Sequence, residues 1–355
     1  MHRMRNRAIS ETELVRQAIE RIQTSLPPRW SLAAQLEPVV QEQHLDALLT
    51  IHEPSGTSIQ ICIEAKYRVE PKTVGDIVQH IRQFPGRSHL LVAPFLSSRT
   101  RELLRQAGLS HADSTGNLWI ALENPALWVE RVGARENPWH EPRPLQSLKG
   151  GKAGRAVRAF CDFRPPYGVR ELAERSQTTP AAISRVASVL EKEALLTKDA
   201  RGRIVELGLD GVLRRWTDDY RVLSSNRSRS FLEPRGLPHL LEKLRHTNRR
   251  YAITGSLAAS WHVRVAPARL GMVYVDEVAD VGRELELHSV EAGANVILIA
   301  PSDEVVFARS TTHEGVRYAA VPQVAADLLT SPGRGPEEGE ELLTWMKEHE
   351  HDWRN

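Results

Sequence analysis

The sequence predicts a multidomain α/β protein: two α/β parts flanking a helical middle. Three observations lead there. Helix-period and strand-period segments alternate through the first 136 residues, a Pro-rich stretch from Asn137 to Ser147 interrupts them, and an α/β pattern resumes after Arg235. At 355 residues the chain is also long for a single core, so two or three domains are expected.

Residues 11–26 repeat apolar positions at helical spacing and stop at Pro27-Pro28. Strand-like runs follow at 45–52 and 58–66, separated by a Pro-Ser-Gly turn. A helix is expected from Val74 to Phe84, a strand at His89–Ala93, a helix from Ser98 to Ala107, and strands at 117–122 and 127–132. Residues 1–136 thus form one α/β domain, with 137–149 as a linker.

Residues 150–222 read as a compact helical unit. One helix runs from Gly151 to Phe163, and a shorter one from Val169 to Ser176. Pro180 then opens a helix that reaches Glu193, with Thr179 as its N-cap. Leu195–Lys198 and Arg203–Leu207 flank Asp199-Ala200-Arg201-Gly202 as a hairpin. The region 236–355 brings strands at 250–254, 271–275, 294–299 and 316–321 and helices at 256–262, 277–287 and 322–330, a second α/β part.

The net charge of +2 is unremarkable, but its distribution is uneven. Residues 149–185 carry Lys149, Lys152, Arg155, Arg158, Arg164, Arg170, Arg175 and Arg185, and a second basic stretch runs from Arg214 to Arg235. The tail from Glu337 to Asp352 is acidic. A basic middle points to a local polyanion-binding surface. The two cysteines, Cys62 and Cys161, fall in different expected domains, which argues against a disulfide framework. The basic N-terminus lacks a following apolar core, and no apolar run approaches a membrane span, so a cytoplasmic protein is expected. Neither a zinc-spaced Cys/His cluster nor a nucleophile elbow occurs. Trp119, Trp128, Trp216 and Trp261 sit in apolar runs and are expected to fill cores.

The middle order of helix, helix, tight turn, helix and hairpin is that of a winged helix-turn-helix. Val157, Phe160, Leu172, Ala173, Ile183, Val186, Val189 and Leu190 would form its core. The opposite side of the third helix presents Thr179, Ala181, Ser184, Arg185 and Ser188. Small and polar residues there suit entry into the major groove of double-stranded DNA, where an Arg contacts guanine. Lys198, Arg201 and Arg203 of the hairpin, with Arg175 and Thr178, would lie along phosphates.

A second constellation lies in the first domain. Asp46 opens one strand-like run, and Glu64-Ala65-Lys66 closes the next. Alternation along a strand points Glu64 and Lys66 the same way. Two carboxylates and one ammonium at a sheet end suit a hard Mg²⁺ site for phosphodiester cleavage. This pattern resembles the PD-(D/E)xK nuclease superfamily and implies a restriction-endonuclease-like fold, with Leu45 where the motif has proline. The resemblance makes Asp46 and Glu64 the Mg²⁺ ligands and Lys66 the residue that orients or activates water. It also nominates Gln79 or Gln83 on the following helix, and Glu13 or Glu20 on the first, as additional polar groups.

Asp113-Ser-Thr-Gly116-Asn117 suits a turn with positive φ. Residues 89–120, the helical middle, Tyr251–Ala259 and Val321–Glu340 together resemble transcriptional regulators grouped with type IV abortive-infection (AbiEi) antitoxins. Ile253-Thr-Gly255-Ser256 also resembles the opening of minimal nucleotidyltransferase domains, but only Asp276 follows where that family carries a paired Asp-x-Asp. A degenerate nucleotidyltransferase-like domain without catalysis is therefore expected. The leading expectation is a DNA-binding transcriptional regulator, antitoxin-like, binding an operator as a homodimer and pairing with a cognate toxin. The alternative is a Mg²⁺-dependent DNA endonuclease that the helical unit delivers to DNA.

Overall fold

A computed structural model describes residues 10–40, 43–82, 87–139, 147–263 and 267–355, apart from the side chains of 39, 40, 43 and 44. The described residues divide into two compact units, residues 10–139 and, but for the short segment Lys192–Ala194, residues 147–355.

The first unit is built on a seven-stranded sheet whose spatial order is its chain order. Its strands are β1 (Ser31–Leu36), β2 (Ala47–His52), β3 (Ser58–Ala65), β4 (Ser88–Ala93), β5 (Ser110–Asp113), β6 (Leu118–Glu123) and β7 (Ala126–Arg131). The pairs β3–β4 and β4–β5 are parallel and the others antiparallel. Helix α1 (Glu11–Gln23) starts at Ser10, whose hydroxyl accepts the Glu13 N–H at 3.2 Å. It buries Leu14, Val15, Ala18 and Ile22 against Leu49, Ile51, Ile61, Ile63, Leu90 and Val92. Helices α2 (Val74–Ile81) and α3 (Ser98–Gln106) cover the opposite face, where Val74, Ile81 and Leu104 meet Leu91 and Ala93. The alternating directions of residues 90 to 93 therefore separate two cores, giving an α/β/α sandwich.

Two strands carry little sequence signal. β1 has mostly exposed side chains and no apolar alternation, whereas all four residues of β5 are buried, with Ser110, His111 and Asp113 among them. The Asp113 carboxylate explains that burial: it accepts from the backbone N–H of Leu96, Thr115 and Asn117 and from the Asn117 amide. The expected turn is present, with Gly116 at φ +113. Asn117 reaches on to the Gly133 N–H at 2.8 Å, and a Cβ on Gly133 would come within 2.5 Å of the Asn117 backbone nitrogen. Only glycine fits there.

The second unit joins the helical middle and the C-terminal α/β part in one continuous core, where the sequence suggested two modules. It begins with α4 (Gly151–Asp162), α5 (Val169–Arg175) and α6 (Pro180–Lys192), a hairpin of β8 (Leu196–Lys198) and β9 (Ile204–Leu207), and α7 (Leu209–Thr217). A second seven-stranded sheet follows. It contains β10 (Arg227–Leu232), β11 (Tyr251–Thr254), β12 (Gly271–Val275), β13 (His288–Ser289), β14 (Val296–Ala300), β15 (Thr311–His313) and β16 (Val316–Tyr318) in the order β13-β10-β14-β12-β11-β16-β15. Helices α8 (Leu237–His246), α9 (Ser256–Ala259), α10 (Val278–Glu284), α11 (Val321–Leu329), α12 (Gly335–Glu348) and α13 (Glu350–Trp353) complete it.

The merger has a physical cause in α4. Nine of its residues are buried, including Arg158 at 0% exposure, so it lacks a solvent stripe and needs packing on every side. Arg158 is neutralised by Asp162 at 3.1 Å and donates to the Gln323 side-chain oxygen on α11 at 3.1 Å. Removing Asp162 would strand the buried guanidinium, while the hydrogen bond to Gln323 sets the register of α4 on α11. Residues 140–146 of the expected linker lie outside the described residues. No helix among the described residues is long and apolar enough to cross a membrane.

Candidate nucleic-acid interface and acidic site

Strand register brings the first constellation together. Ala47 of β2 pairs with Ile63 of β3, which sets residue 46 across from residue 64. The Asp46 carboxylate accepts the Ala65 N–H at 2.7 Å. Lys66 bonds Glu64 through Nζ and Oε1 at 2.7 Å, and its own N–H donates to the Val92 carbonyl of β4 at 2.8 Å. The side chains of Glu64 and Lys66 remain 22% and 45% exposed, so the cluster opens to solvent. The hydrogen bond to Glu64 raises the Lys66 pKa above its ordinary value, burial opposes it, and Glu64, Asp46 and Glu11 add attraction. The lysine is thus held as an ammonium.

The first-helix acid near this lysine is Glu11, in the opening turn of α1. The expected Glu13 is instead engaged by the Gln17 amide at 3.1 Å, and Glu20 is exposed farther along the helix. Gln79 is exposed on α2, and Gln83 lies outside the described residues. Among the described residues no three His, Cys, Asp or Glu side chains are grouped to hold a metal ion. A divalent cation here would rely on Asp46 and Glu64 with water, a donor set that Mg²⁺ accepts. Asp46 Oδ1 and Glu64 Oε2 are the oxygens left after the contacts to Ala65 and Lys66.

In the helical segment, α6 divides cleanly by face. Ile183, Val186, Ala187, Val189 and Leu190 are buried, while Ala181, Ser184, Arg185 and Ser188 are exposed. The Thr179 hydroxyl accepts the Ala182 N–H at 3.2 Å, and Gln177 at φ +52 makes the tight turn before it. Ser188 donates back to the Ser184 carbonyl at 3.0 Å, and Arg185 donates to the Ser147 carbonyl at 3.3 Å. The cations divide in a way their sequence positions do not reveal. Lys198 pairs with Glu191 at 2.6 Å, and Arg175 and Arg203 both approach Glu171 at 3.9 Å. Arg175 also lies over the Phe163 ring at 4.2 Å. Thr178 is half-buried and spends its N–H on the Ala173 carbonyl. Arg185 and Arg201 form no ion pair among the described residues, so they are the cations of this set readiest for phosphate or base contacts.

The end of β11 in the second sheet is arranged differently. Gly255 follows it at φ +67, and Asp276 faces Arg250 at 3.8 Å. Behind them lies a carboxylate that motif spacing did not single out as a site, Asp327 of α11. Fully buried, it accepts from Thr254 Oγ1 (2.6 Å), Tyr220 OH (2.7 Å), Tyr274 OH (2.9 Å) and Gln323 Nε2 (2.9 Å). Burial pushes its pKa up to about 6 against the pull of those four donors. The available signal was Gln323 and Asp327 four residues apart in an otherwise apolar helix. Of the tryptophans expected in cores, Trp119 and Trp216 are buried, whereas Trp128 and Trp261 are 66% and 42% exposed.

No family model and no curated protein matches the chain. Among solved structures, EndoMS in apo form matches with 19% sequence identity and a TM-score of 0.20, over 31% of this chain and 48% of that one. The match thus spans about half of that protein, and at so low a score it carries no argument about fold or function.

Proposed function

We propose that the chain binds duplex DNA through α6 and acts as an antitoxin-like transcriptional regulator. The supporting observation is the division of α6: one face anchors it in the core, and the other offers small side chains with Arg185 among them. A helix so anchored can lie in a major groove without steric conflict, and a guanidinium there reads guanine. In this reading the helices form a winged helix-turn-helix, the hairpin is its wing, and the C-terminal sheet is a degenerate nucleotidyltransferase-like platform. Arg185→Ala is expected to weaken operator binding by about 1–3 kcal/mol. Operator affinity equal to wild type in an anisotropy titration would remove α6 from the interface.

A second reading rests on the meeting of Asp46, Glu64 and Lys66 at one sheet end. Here the first unit is a PD-(D/E)xK-type nuclease. Asp46 and Glu64 would hold Mg²⁺, which supplies Lewis acidity at the phosphate, and the Lys66 ammonium would position the attacking water. Metal-dependent cleavage of linear, branched or single-stranded DNA should disappear in Lys66→Ala and Asp46→Ala. Absence of cleavage by the wild type with Mg²⁺ or Mn²⁺ would reject this reading and leave the first intact.

A further inference from the structure

Strand β7 turns Leu127 and Val129 into the core and Trp128 outward, with 66% of that indole exposed. Trp128 does not stand alone. Its ring meets Trp119 of β6 edge-on at 5.6 Å, and Trp119 stacks on His111 of β5 at 5.7 Å. Arg105 of α3 lies over Trp119 at 5.8 Å and pairs with Glu130 of β7. One helical turn earlier, Arg101 donates to Asn117 and to the Ser98 hydroxyl. Asn117 also bonds the backbone of Gly133 and Ala134, and the next residue, Arg135, is close enough for its charge to act on Arg101. Burial lowers the Arg101 pKa, and the positive charges of Arg105 and Arg135 add to the effect, while Asp113 and Glu130 oppose it. Neither Arg101 nor Arg135 forms an ion pair among the described residues. The His111 Nε2 beneath is buried without a hydrogen-bond partner.

This surface therefore pairs an exposed indole, backed by a second, with three guanidinium groups, against Glu130 at the surface and the Asp113 carboxylate, which is buried and committed to its own loop. We propose that it is a platform for single-stranded DNA, on which an unpaired base stacks against Trp128 while Arg101 and Arg135 take the neighbouring phosphates. The charge excess selects a polyanion over an apolar peptide. The flat, exposed ring selects an unstacked base, because a duplex hides its base faces. The choice of DNA over RNA rests on the reading proposed above; the stacking platform does not.

The test is an anisotropy titration of a labelled oligothymidine of about 15 nucleotides with the full chain, over a series of salt concentrations. Trp128→Ala should weaken binding roughly 5- to 100-fold, while Trp128→Phe, which keeps a ring, retains most of the affinity. Arg135→Gln should reduce the salt slope by about 0.7. Both side chains are exposed, so neither change disturbs the core. Duplex operator binding by Trp128→Ala should match wild type, whereas Arg185→Ala should lose duplex binding and keep oligothymidine binding. Failure of one interface is thereby distinguished from failure of the other. Unchanged oligothymidine affinity in Trp128→Ala overturns the proposal. So does a shift from dimer to monomer in light scattering with that affinity intact, which would assign the face to a second copy. Tighter binding of an oligouridine than of oligothymidine overturns the choice of DNA.

Discussion

Each of the two units places carboxylates near the end of a sheet, and the two treatments are opposite. At Asp46, Glu64 and Lys66 the groups are half-open, and Asp46 Oδ1 and Glu64 Oε2 lie outside the cluster's internal contacts. At Asp327 the group is closed off and surrounded by four donors from Tyr220, Thr254, Tyr274 and Gln323. The first arrangement retains capacity to bind something else. The second has used its capacity to hold β11, β12, α11 and the segment after α7 together. Hence a buried carboxylate at a sheet end is not by itself a sign of catalysis; what matters is whether its oxygens are already taken.

The sharpest way to break this contrast is Asp327→Ala. It would leave four buried donors facing a void, and the expected loss is about 3–5 kcal/mol of unfolding free energy, read by urea denaturation. A loss below about 1 kcal/mol would show that water or rearrangement satisfies the donors, and the closed-site description would fail.

The same carboxylate predicts a pH dependence. Its pKa rises on folding from 3.8 to about 6, so the folded state holds the proton more tightly. The stabilisation is full below the unfolded value and disappears as pH rises through the folded one. Between about pH 7 and pH 5 the wild type should gain about 1 kcal/mol relative to Asp327→Asn. Parallel pH profiles of the two proteins would place the titration elsewhere.

Smaller effects belong to the open site. Asp46→Ala removes one charged acceptor from a part-exposed backbone N–H and should cost about 1 kcal/mol. Lys66→Ala, whose ion pair is solvent-screened, should cost less than about 1 kcal/mol. Differential scanning calorimetry checks both, and a multi-kilocalorie loss at Lys66 would make it a structural residue.

Much of this was legible in the sequence where burial is one-sided. Helix α1, strand β3 and helix α6 each announce themselves because one face is apolar and the other is not. Helices α7 and α8 are one-sided too and were not anticipated, and elements with no such division were missed as well. β10 alternates Arg and Ser through Arg227–Ser230 and reads as a basic loop, while the short β5 buries polar groups that only the loop 113–117 satisfies. The Asp46–Glu64–Lys66 cluster follows from strand alternation and from the pairing of two strands consecutive in the chain. The pairing of Lys198 with Glu191 and the burial of Asp327 did not follow, because they depend on which side chains meet across distant elements. The exposure of Trp128 was hidden for the same reason: an indole amid Leu127 and Val129 looks like core until the strand's two faces are assigned.

The first sheet has a kinetic consequence in its strand order. Because β1 to β7 lie side by side as they occur along the chain, each new strand finds its partner in the segment just completed. Short sequence separations close small loops and favour rapid assembly, and such a sheet can grow strand by strand as the chain emerges during synthesis. The second sheet permits no such order, because its β10 must wait for β14, some 70 residues later, before its main ladder can form. The open carboxylate–lysine cluster, held where β2 begins and β3 ends, would therefore be in place early, long before the residues that enclose Asp327 have been made.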